Sequence, residues 1–159
     1  MFFLVKQLWL MKGGEIMSKA ISNHFSGTKG EGKALIKSLE GKGIKCNPND
    51  VVVITQDSNG RIVWLEKGKS GANGSGLKHI VEKHEKEFAK QGISKKETPQ
   101  YLMAAIKNGK IVGHQGRGKT RPIYEFTYKG KKRRVAITSG SNGYIVGANP
   151  ASVPKEDKE

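Results

Sequence analysis

The chain has 159 residues, the size of one ordinary domain, and carries 29 Lys and Arg against 14 Asp and Glu, a formal net charge of +15. The single cysteine, Cys46, excludes an intrachain disulfide and a cysteine-cluster metal site. No apolar run is long enough to span a bilayer: the first is about ten residues long and is interrupted by Lys6. Because no basic region precedes that run, it also makes a poor signal peptide.

Residues 1–49 are predicted to form an N-terminal helical extension. The segment EGKALIKSLE, residues 31–40, places Leu35, Ile36 and Leu39 on one helical stripe, and Gly41 is well placed to end the helix. The opening MFFLVKQLWLMKGG is interpreted either as a packed helix or as an upstream extension of a chain that naturally starts at Met17.

A hairpin and two further helices are predicted next. The segment DVVVITQDSNGRIVWLE has two β-rich runs around Ser58-Asn59-Gly60, which is typical of a hairpin. The Gly/Ser-rich residues 66–76 indicate a flexible link, after which a helix begins near Leu77. Another helix is expected to begin at Thr98-Pro99 and to end at Asn108-Gly109.

The last third of the chain is predicted to be a basic sheet. After a linker, HQGRGKTRP, come three short strands, IYEFTY, RRVAIT and GYIVGA, joined by turn sequences. The fold class is therefore α+β, with N-terminal helices and a hairpin followed by a C-terminal antiparallel β-meander. Residues 50–150 are assigned to the functional domain and residues 151–159 to a disordered tail.

The positive charge is concentrated in this sheet region. Between Tyr101 and Arg134 there are ten Lys and Arg and one acid, Glu125. Such a block attracts polyanions, and nucleic acid is the commonest one, although an anionic membrane surface, an acidic protein or simple solvation would suit the same charge. Strand alternation puts three aromatic residues on one face, and we expect that face to be core. These residues are Tyr124, Phe126 and Tyr128.

Two histidines lie five positions apart in GLKHIVEKH, residues 76–84. On a helix, this spacing turns His79 about 140° away from His84, whereas a metal pair needs i,i+4 spacing, so no metal site is predicted. His84 falls on an apolar stripe and is interpreted either as a packed core residue or as a catalytic one. His79 falls off the stripe, beside the flexible link, and is interpreted either as an ordinary exposed histidine or as the edge of a site. The stripe consists of Leu77, Ile80, Val81, His84 and Phe88.

Two polar segments could contact phosphate. The glycine-rich linker carries Arg117, Lys119 and Arg121, so its backbone can approach a phosphate while its side chains neutralise it. The spacing of its glycines does not match a nucleotide-binding P-loop. Residues 138–142, TSGSN, are either an ordinary polar turn or a group of donors for a phosphate oxygen.

Taken together, this order of elements resembles the barnase/EndoU/colicin/RelE-like superfamily of small ribonucleases. The resemblance covers roughly residues 50–150 and includes the H-I-x-x-K-H helix, the basic linker and the meander with its Thr/Ser turn. It implies cleavage of RNA without a metal or other cofactor, in which the ribose 2′-OH attacks the adjacent phosphate and leaves a 2′,3′-cyclic phosphate. No single member's full catalytic set is matched.

The resemblance also assigns roles to residues. Catalysis is expected of His79 and His84, as base and acid, together with Arg121 and Thr138. Contacts with RNA are expected of Arg117, Lys119, Lys131, Lys132 and Ser139.

Members of the superfamily occur as toxin modules of contact-dependent growth inhibition and polymorphic toxin systems, and in phage. The resemblance therefore implies a bacterial toxin that acts on tRNA or rRNA. A secreted or delivered toxin would act in the cytoplasm of a target cell, and a phage-encoded one in the cytoplasm of the cell that produces it. Because a nuclease of charge +15 endangers its maker, an acidic immunity protein is expected. Two other hypotheses remain open: a non-catalytic RNA- or DNA-binding protein, and a ribosome-associated or phage structural component.

Overall fold

Six strands and three α-helices make up the part of the chain that the computed structural model describes, residues 29–153. The helices are α1 (Lys29–Gly41), α2 (Gly76–Lys90) and α3 (Thr98–Asn108). The strands are β1 (Val51–Gln56), β2 (Ile62–Glu66), β3 (Lys110–Gln115), β4 (Arg121–Tyr128), β5 (Lys131–Ser139) and β6 (Ile145–Ala151). The predicted α+β class with a C-terminal antiparallel meander is confirmed. The opening MFFLVKQLWLMKGG and the last six residues lie outside the described range.

The hairpin forms where the sequence predicts it. Strands β1 and β2 pair antiparallel, and the turn between them has Gly60 at φ +83°, a conformation that favours glycine. Helix α1 packs its predicted stripe on the hairpin, so that Leu39 is buried with Ile54 and Trp64 in a small core. Between residues 29 and 153, no helix is long and apolar enough to cross a membrane.

A larger core lies between α2, α3 and one face of a four-stranded antiparallel sheet, β3-β4-β5-β6. Tyr101 of α3 is fully buried there, and its ring packs edge-on against Phe126 and Tyr128 of β4 at centroid distances of 5.0 and 4.9 Å. Tyr124 is partly buried against the same core. The prediction that the three β4 aromatics face the core is confirmed.

The sheet is larger than the sequence indicates, because the structure adds strand β3. Residues 110–115, KIVGHQ, pair with β4 and include part of the predicted linker. Strand β3 lies at the sheet edge, has a bulge between Ile111 and Gly113, and leaves Ile111 53% exposed, so it lacks the alternation of a half-buried strand. Strand β6 also continues through Ala151, into the segment predicted to be a disordered tail.

The second face of the sheet carries mainly polar side chains, and we call it the polar face. Directly paired residues of neighbouring strands project on the same side of a sheet, so the register assigns residues to each face. Because Ile123 pairs with Ala136, and Ala136 with Asn149, these three residues share the face opposite Phe126. The polar face further includes Arg121, Glu125, Thr127, Lys132, Arg134, Thr138 and Gly147.

Candidate active site

Arg121 is held across the polar face by two hydrogen bonds. Its Nε donates to Thr138 Oγ1 at 2.7 Å, and its Nη1 donates to Asn149 Oδ1 at 2.8 Å. The side chain therefore reaches from β4 over β5 to β6. Ala136 is opposite Asn149 in the register, two residues from Thr138 on β5, and is fully buried.

The start of α2 positions His79 beside this network. Gly76, at φ +75°, begins the helix, and a Cβ there would lie 2.8 Å from Glu66 O, so only glycine fits. Lys78 N donates to Lys67 O at 2.9 Å, and Ser75 Oγ lies 3.0 Å from Tyr144 Oη. These bonds tie the first turn of α2 to the segment after β2 and to the approach to β6.

The imidazole of His79 borders the polar face at β6. Its Cδ2 would lie 3.7 Å from a Cβ on Gly147, which pairs directly with Thr138. Its Nδ1 faces the 69–75 loop, 2.8 Å from where a Cβ of Gly74 would lie, and is buried without a hydrogen-bond partner in the described structure. Because Nε2 is bonded to Cδ2, the ring edge that contains Nε2 is the one directed at β6.

Four side chains thus lie near one another at one end of the polar face, and we call them the polar-face cluster: His79, Arg121, Thr138 and Asn149. The first three are predicted from the sequence. Asn149 was missed, although alternation in GYIVGANP places it on the same face as Gly147. Only the register of β6 against β5, which the sequence does not reveal, brings Asn149 within reach of Arg121.

His84 does not join the cluster. Of the two interpretations of His84, a packed core residue or a catalytic one, the first is wrong: its side chain is 30% exposed, and its Nδ1 lies 3.0 Å from Glu87 Oε2, one turn along the same helix. His79, predicted to lie off the stripe, is the histidine whose ring packs against the sheet. The five-residue spacing keeps the two rings about 140° apart around the helix axis.

Ser139 does not belong to the cluster, because its hydrogen-bond partner differs from that of Thr138. Its hydroxyl accepts a hydrogen bond from Arg61 Nη1 at 3.3 Å, and Arg61 Nη2 also donates to Gly140 O. Arg61 comes from the turn of the hairpin, so Ser139 and Gly140 anchor the hairpin to the sheet. Arg61 is a second residue that sequence analysis did not select.

The basic candidates lie at opposite ends of the sheet. Arg117 and Lys119 are exposed in the 3₁₀ turn that leads into Arg121, where Lys119 has a left-handed φ of +50°. Lys131 and Lys132 are exposed at the other end of the sheet, where β5 begins. Because a strand advances about 3.3 Å per residue, the two ends of β4 are about 23 Å apart.

The polar-face cluster contains groups suited to phosphate chemistry. An imidazole can accept or donate a proton near neutral pH. A guanidinium has five N–H donors, and described residues use two of those on Arg121, which leaves three for oxygens of a bound anion. Residues 29–153 contain no group of three or more His, Cys, Asp or Glu that could hold a metal ion.

Comparison with known proteins identifies the family of the chain. Curated proteins give no match. A protein-family model described as phage-Barnase-EndoU-ColicinE5/D-RelE like nuclease1 matches residues 53–150. This range includes most of the hairpin, helices α2 and α3, the meander up to Pro150 and every member of the polar-face cluster. The match covers more than half of the chain, and the chain therefore belongs to this family of nucleases.

Proposed function

We propose that this chain is a metal-independent endoribonuclease whose chemistry takes place at the polar-face cluster. The observation that carries the proposal is that a proton-transfer group, a partly unused guanidinium and a hydroxyl lie in one row of the sheet. That row runs from Arg121 on β4, through Thr138 on β5, to Gly147 on β6 with His79 beyond it.

In the proposed reaction, the ribose 2′-oxygen attacks the adjacent phosphorus, and the bond from phosphorus to the 5′-oxygen breaks. His79 Nε2 accepts the proton of the 2′-OH, and the departing 5′-oxygen takes a proton from water. The products are a 2′,3′-cyclic phosphate and a 5′-OH end. Because the 2′-OH is the nucleophile, this reaction needs neither a metal-bound hydroxide nor another cofactor.

Arg121 is proposed to bind the phosphate as its negative charge increases. Its contacts with Thr138 and Asn149 fix the guanidinium in advance, so little reorganisation is needed at the moment of reaction. The hydroxyl oxygen of Thr138 accepts a hydrogen bond from Arg121. The hydroxyl hydrogen of Thr138 therefore points away from Arg121 and can be donated to a phosphate oxygen. Arg117 and Lys119, one turn ahead of Arg121, are proposed to contact the neighbouring phosphates.

The experiment that tests this proposal measures cleavage of matched RNA and DNA oligonucleotides in excess EDTA. We expect RNA to be cut to a 2′,3′-cyclic phosphate, and DNA or RNA with a 2′-O-methyl group at the scissile position to survive. The double variant His79→Ala/Arg121→Ala, purified identically, controls for contaminating ribonuclease. The proposal would be contradicted if chelation abolished activity and one divalent ion restored it, or if DNA were cleaved as fast as RNA. A non-catalytic nucleic-acid-binding protein would cut neither RNA nor DNA.

We extend the proposal to a toxin that acts on tRNA or rRNA and is held in check by an acidic immunity protein. The support is that residues 101–134 contain ten Lys and Arg and one acid, a positive charge that a small acidic protein would complement. Expression of the chain in bacterial cytoplasm should arrest growth, whereas the Arg121→Ala variant should not. Colony counts with and without a co-expressed acidic neighbouring gene product give the measurement, and unaffected growth on wild-type expression would contradict the toxin role.

A further inference from the structure

A cavity of about 710 Å³ lies at the end of the sheet away from the polar-face cluster. Five of the residues that line it are Lys or Arg, and none of its described lining residues is acidic. The cations are Lys90 at the end of α2 and Lys131, Lys132, Arg133 and Arg134 at the start of β5. We call this cavity the basic pocket.

Strand pairing gives the pocket an unpaired strand edge. Strand β5 begins at Lys131, but its pairing with β6 begins only at Arg134, opposite Ala151. On that side, the preceding three residues of β5 have no neighbouring strand within the described chain. Because alternate residues of an antiparallel strand direct their backbone N–H groups to opposite sides, part of this stretch adds a neutral donor to the charged side chains, an arrangement suited to phosphate oxygens.

The five cations have different surroundings. Arg133 is structural, because its Nη1 donates to Gln91 O at 2.7 Å and joins the end of α2 to β5. Arg134 is paired with Glu125, at 2.8 Å between Nη2 and Oε2. Lys90, Lys131 and Lys132 are exposed, and none of them forms an ion pair within residues 29–153. These three lysines are the ones available to an incoming anion.

Two acidic residues near the pocket, Glu97 and Glu125, do not cancel the charge of these lysines. Glu97 accepts from Lys129 Nζ at 2.8 Å, a contact that helps to lower the pKa of Glu97 to about 2 and keeps its carboxylate ionised. The charge of Lys129 is thereby balanced by Glu97, and Lys129 is not counted with the pocket. Glu125 is likewise occupied by Arg134, so neither acid cancels the charge of the three lysines.

We propose that the basic pocket is a second RNA-binding site, which holds the phosphate backbone of the same strand that crosses the polar-face cluster. RNA is favoured over an acidic protein because the polar face is continuous between the two places. Lys132 pairs with Thr127 and Arg134 with Glu125 on that face, which leads through Ala136 to Thr138. The inference rests on the proposed function in one respect, that RNA is the strand bound at the cluster.

The separation of the two sites sets a length requirement. Their distance is about 23 Å at 3.3 Å per strand residue. A stacked nucleic-acid strand advances about 3.4 Å per nucleotide, so about seven nucleotides are needed to reach both sites. A shorter oligonucleotide can occupy only one of them.

The test uses uniformly 2′-O-methylated RNA of 20 and of 4 nucleotides, which is bound without being cut, and the variant Lys131→Ala/Lys132→Ala. We expect the affinity of this variant for the 20-mer to be about five- to tenfold lower than that of the wild type. The slope of log K against log salt should decrease by about 1.4, because each of the two lost contacts with single-stranded nucleic acid contributes about 0.7. The loss of affinity for the 4-mer should be smaller, because the 4-mer can occupy only one of the two sites, and the melting temperature should stay unchanged.

The matched control is Lys42→Ala/Lys45→Ala, which removes two exposed lysines after α1 that do not line the pocket. Equal losses in both variants, or no loss in the first, would overturn the proposal. Unchanged 20-mer affinity with weakened binding of polyglutamate would overturn it in favour of an acidic protein. Because these measurements use uncut RNA, length-dependent binding supports the basic pocket as an RNA site even if the protein proves to have no cleavage activity. Cleavage activity without length-dependent binding would refute the proposal for the basic pocket and leave the proposed function intact.

Discussion

Replacing Arg121 by alanine is expected to lower the rate of RNA cleavage about 10²–10³-fold, the usual loss when a prepositioned donor to a developing negative charge is removed. The sheet holds its guanidinium in place through two hydrogen bonds, to Thr138 and Asn149. The measurement is the single-turnover rate on a defined RNA at saturating enzyme, which separates chemistry from binding.

Two companion variants sharpen the Arg121 prediction. Arg121→Lys keeps the charge but loses the planar set of donors, so we expect activity to remain far below wild type. Arg117→Ala removes an equal charge four residues earlier, from an exposed turn, and should weaken binding without changing the saturated rate. Equal single-turnover rates for Arg121→Ala and Arg117→Ala would contradict the role given to Arg121.

Stability must be measured alongside these rates. Without Arg121, the partly buried Thr138 and Asn149 lose a hydrogen-bond partner, which costs about 1 kcal/mol of the free energy of unfolding for each bond. A change of that size lowers the melting temperature of a domain of this length by about 2–4 °C per bond. The variant should therefore remain folded at 25 °C, and its loss of activity can be read as a loss of chemistry.

Most of the fold could be predicted because its elements carry clear periodicity. The β1–β2 hairpin, helices α2 and α3, and the aromatic core face of β4 all follow from local patterns of apolar and turn residues. Strand β3 could not be predicted in this way, because its apolar residues Ile111 and Val112 are exposed at the sheet edge. Its pairing with β4 is a tertiary contact that no local pattern reveals.

The candidate site was predictable in composition but not in geometry. Strand alternation alone indicates that Thr138 and Ser139 point to different sides, although the pattern TSGSN favours treating them as one turn. Which histidine of α2 meets the sheet depends on the helix orientation, and that orientation is set by Gly76 and by the bond from Lys78 N to Lys67 O. Apolar periodicity favoured His84 because it does not include these backbone contacts.

His79→Ala is expected to lower RNA cleavage about 10²–10⁴-fold, the range typical of a lost general base. We expect the fold to persist, because the substitution also removes a buried Nδ1 that has no hydrogen-bond partner in the described structure, which offsets part of the lost packing. Rate, RNA affinity and melting temperature should be measured on the same preparation. Affinity for uncut RNA should change little, since the ring is proposed to move a proton rather than to bind phosphate.

The same helix provides the matched control. His84→Ala removes an imidazole that is 30% exposed and contacts only Glu87 among the described polar groups. Its rate should stay within about twofold of wild type, since surface substitutions away from a site rarely matter. Wild-type rates for both variants would show that neither histidine takes part in the reaction, and a selective loss in His84→Ala would overturn the assignment made from the sheet contact.

The contact between His79 and the sheet can also be tested from β6. A Cβ on Gly147 would meet His79 Cδ2 at 3.7 Å, an ordinary contact, so Gly147→Ala should fold normally while filling the space between the imidazole and Thr138. Gly113→Ala, on the same face but beside Ile123, is its control, with a comparable contact of 3.9 Å. Because misplacing a reacting group by about 1 Å costs up to about 10²-fold in rate, only the Gly147 variant should be impaired. Such a difference between two tolerated glycine substitutions would place the reaction beside His79 rather than elsewhere on the polar face.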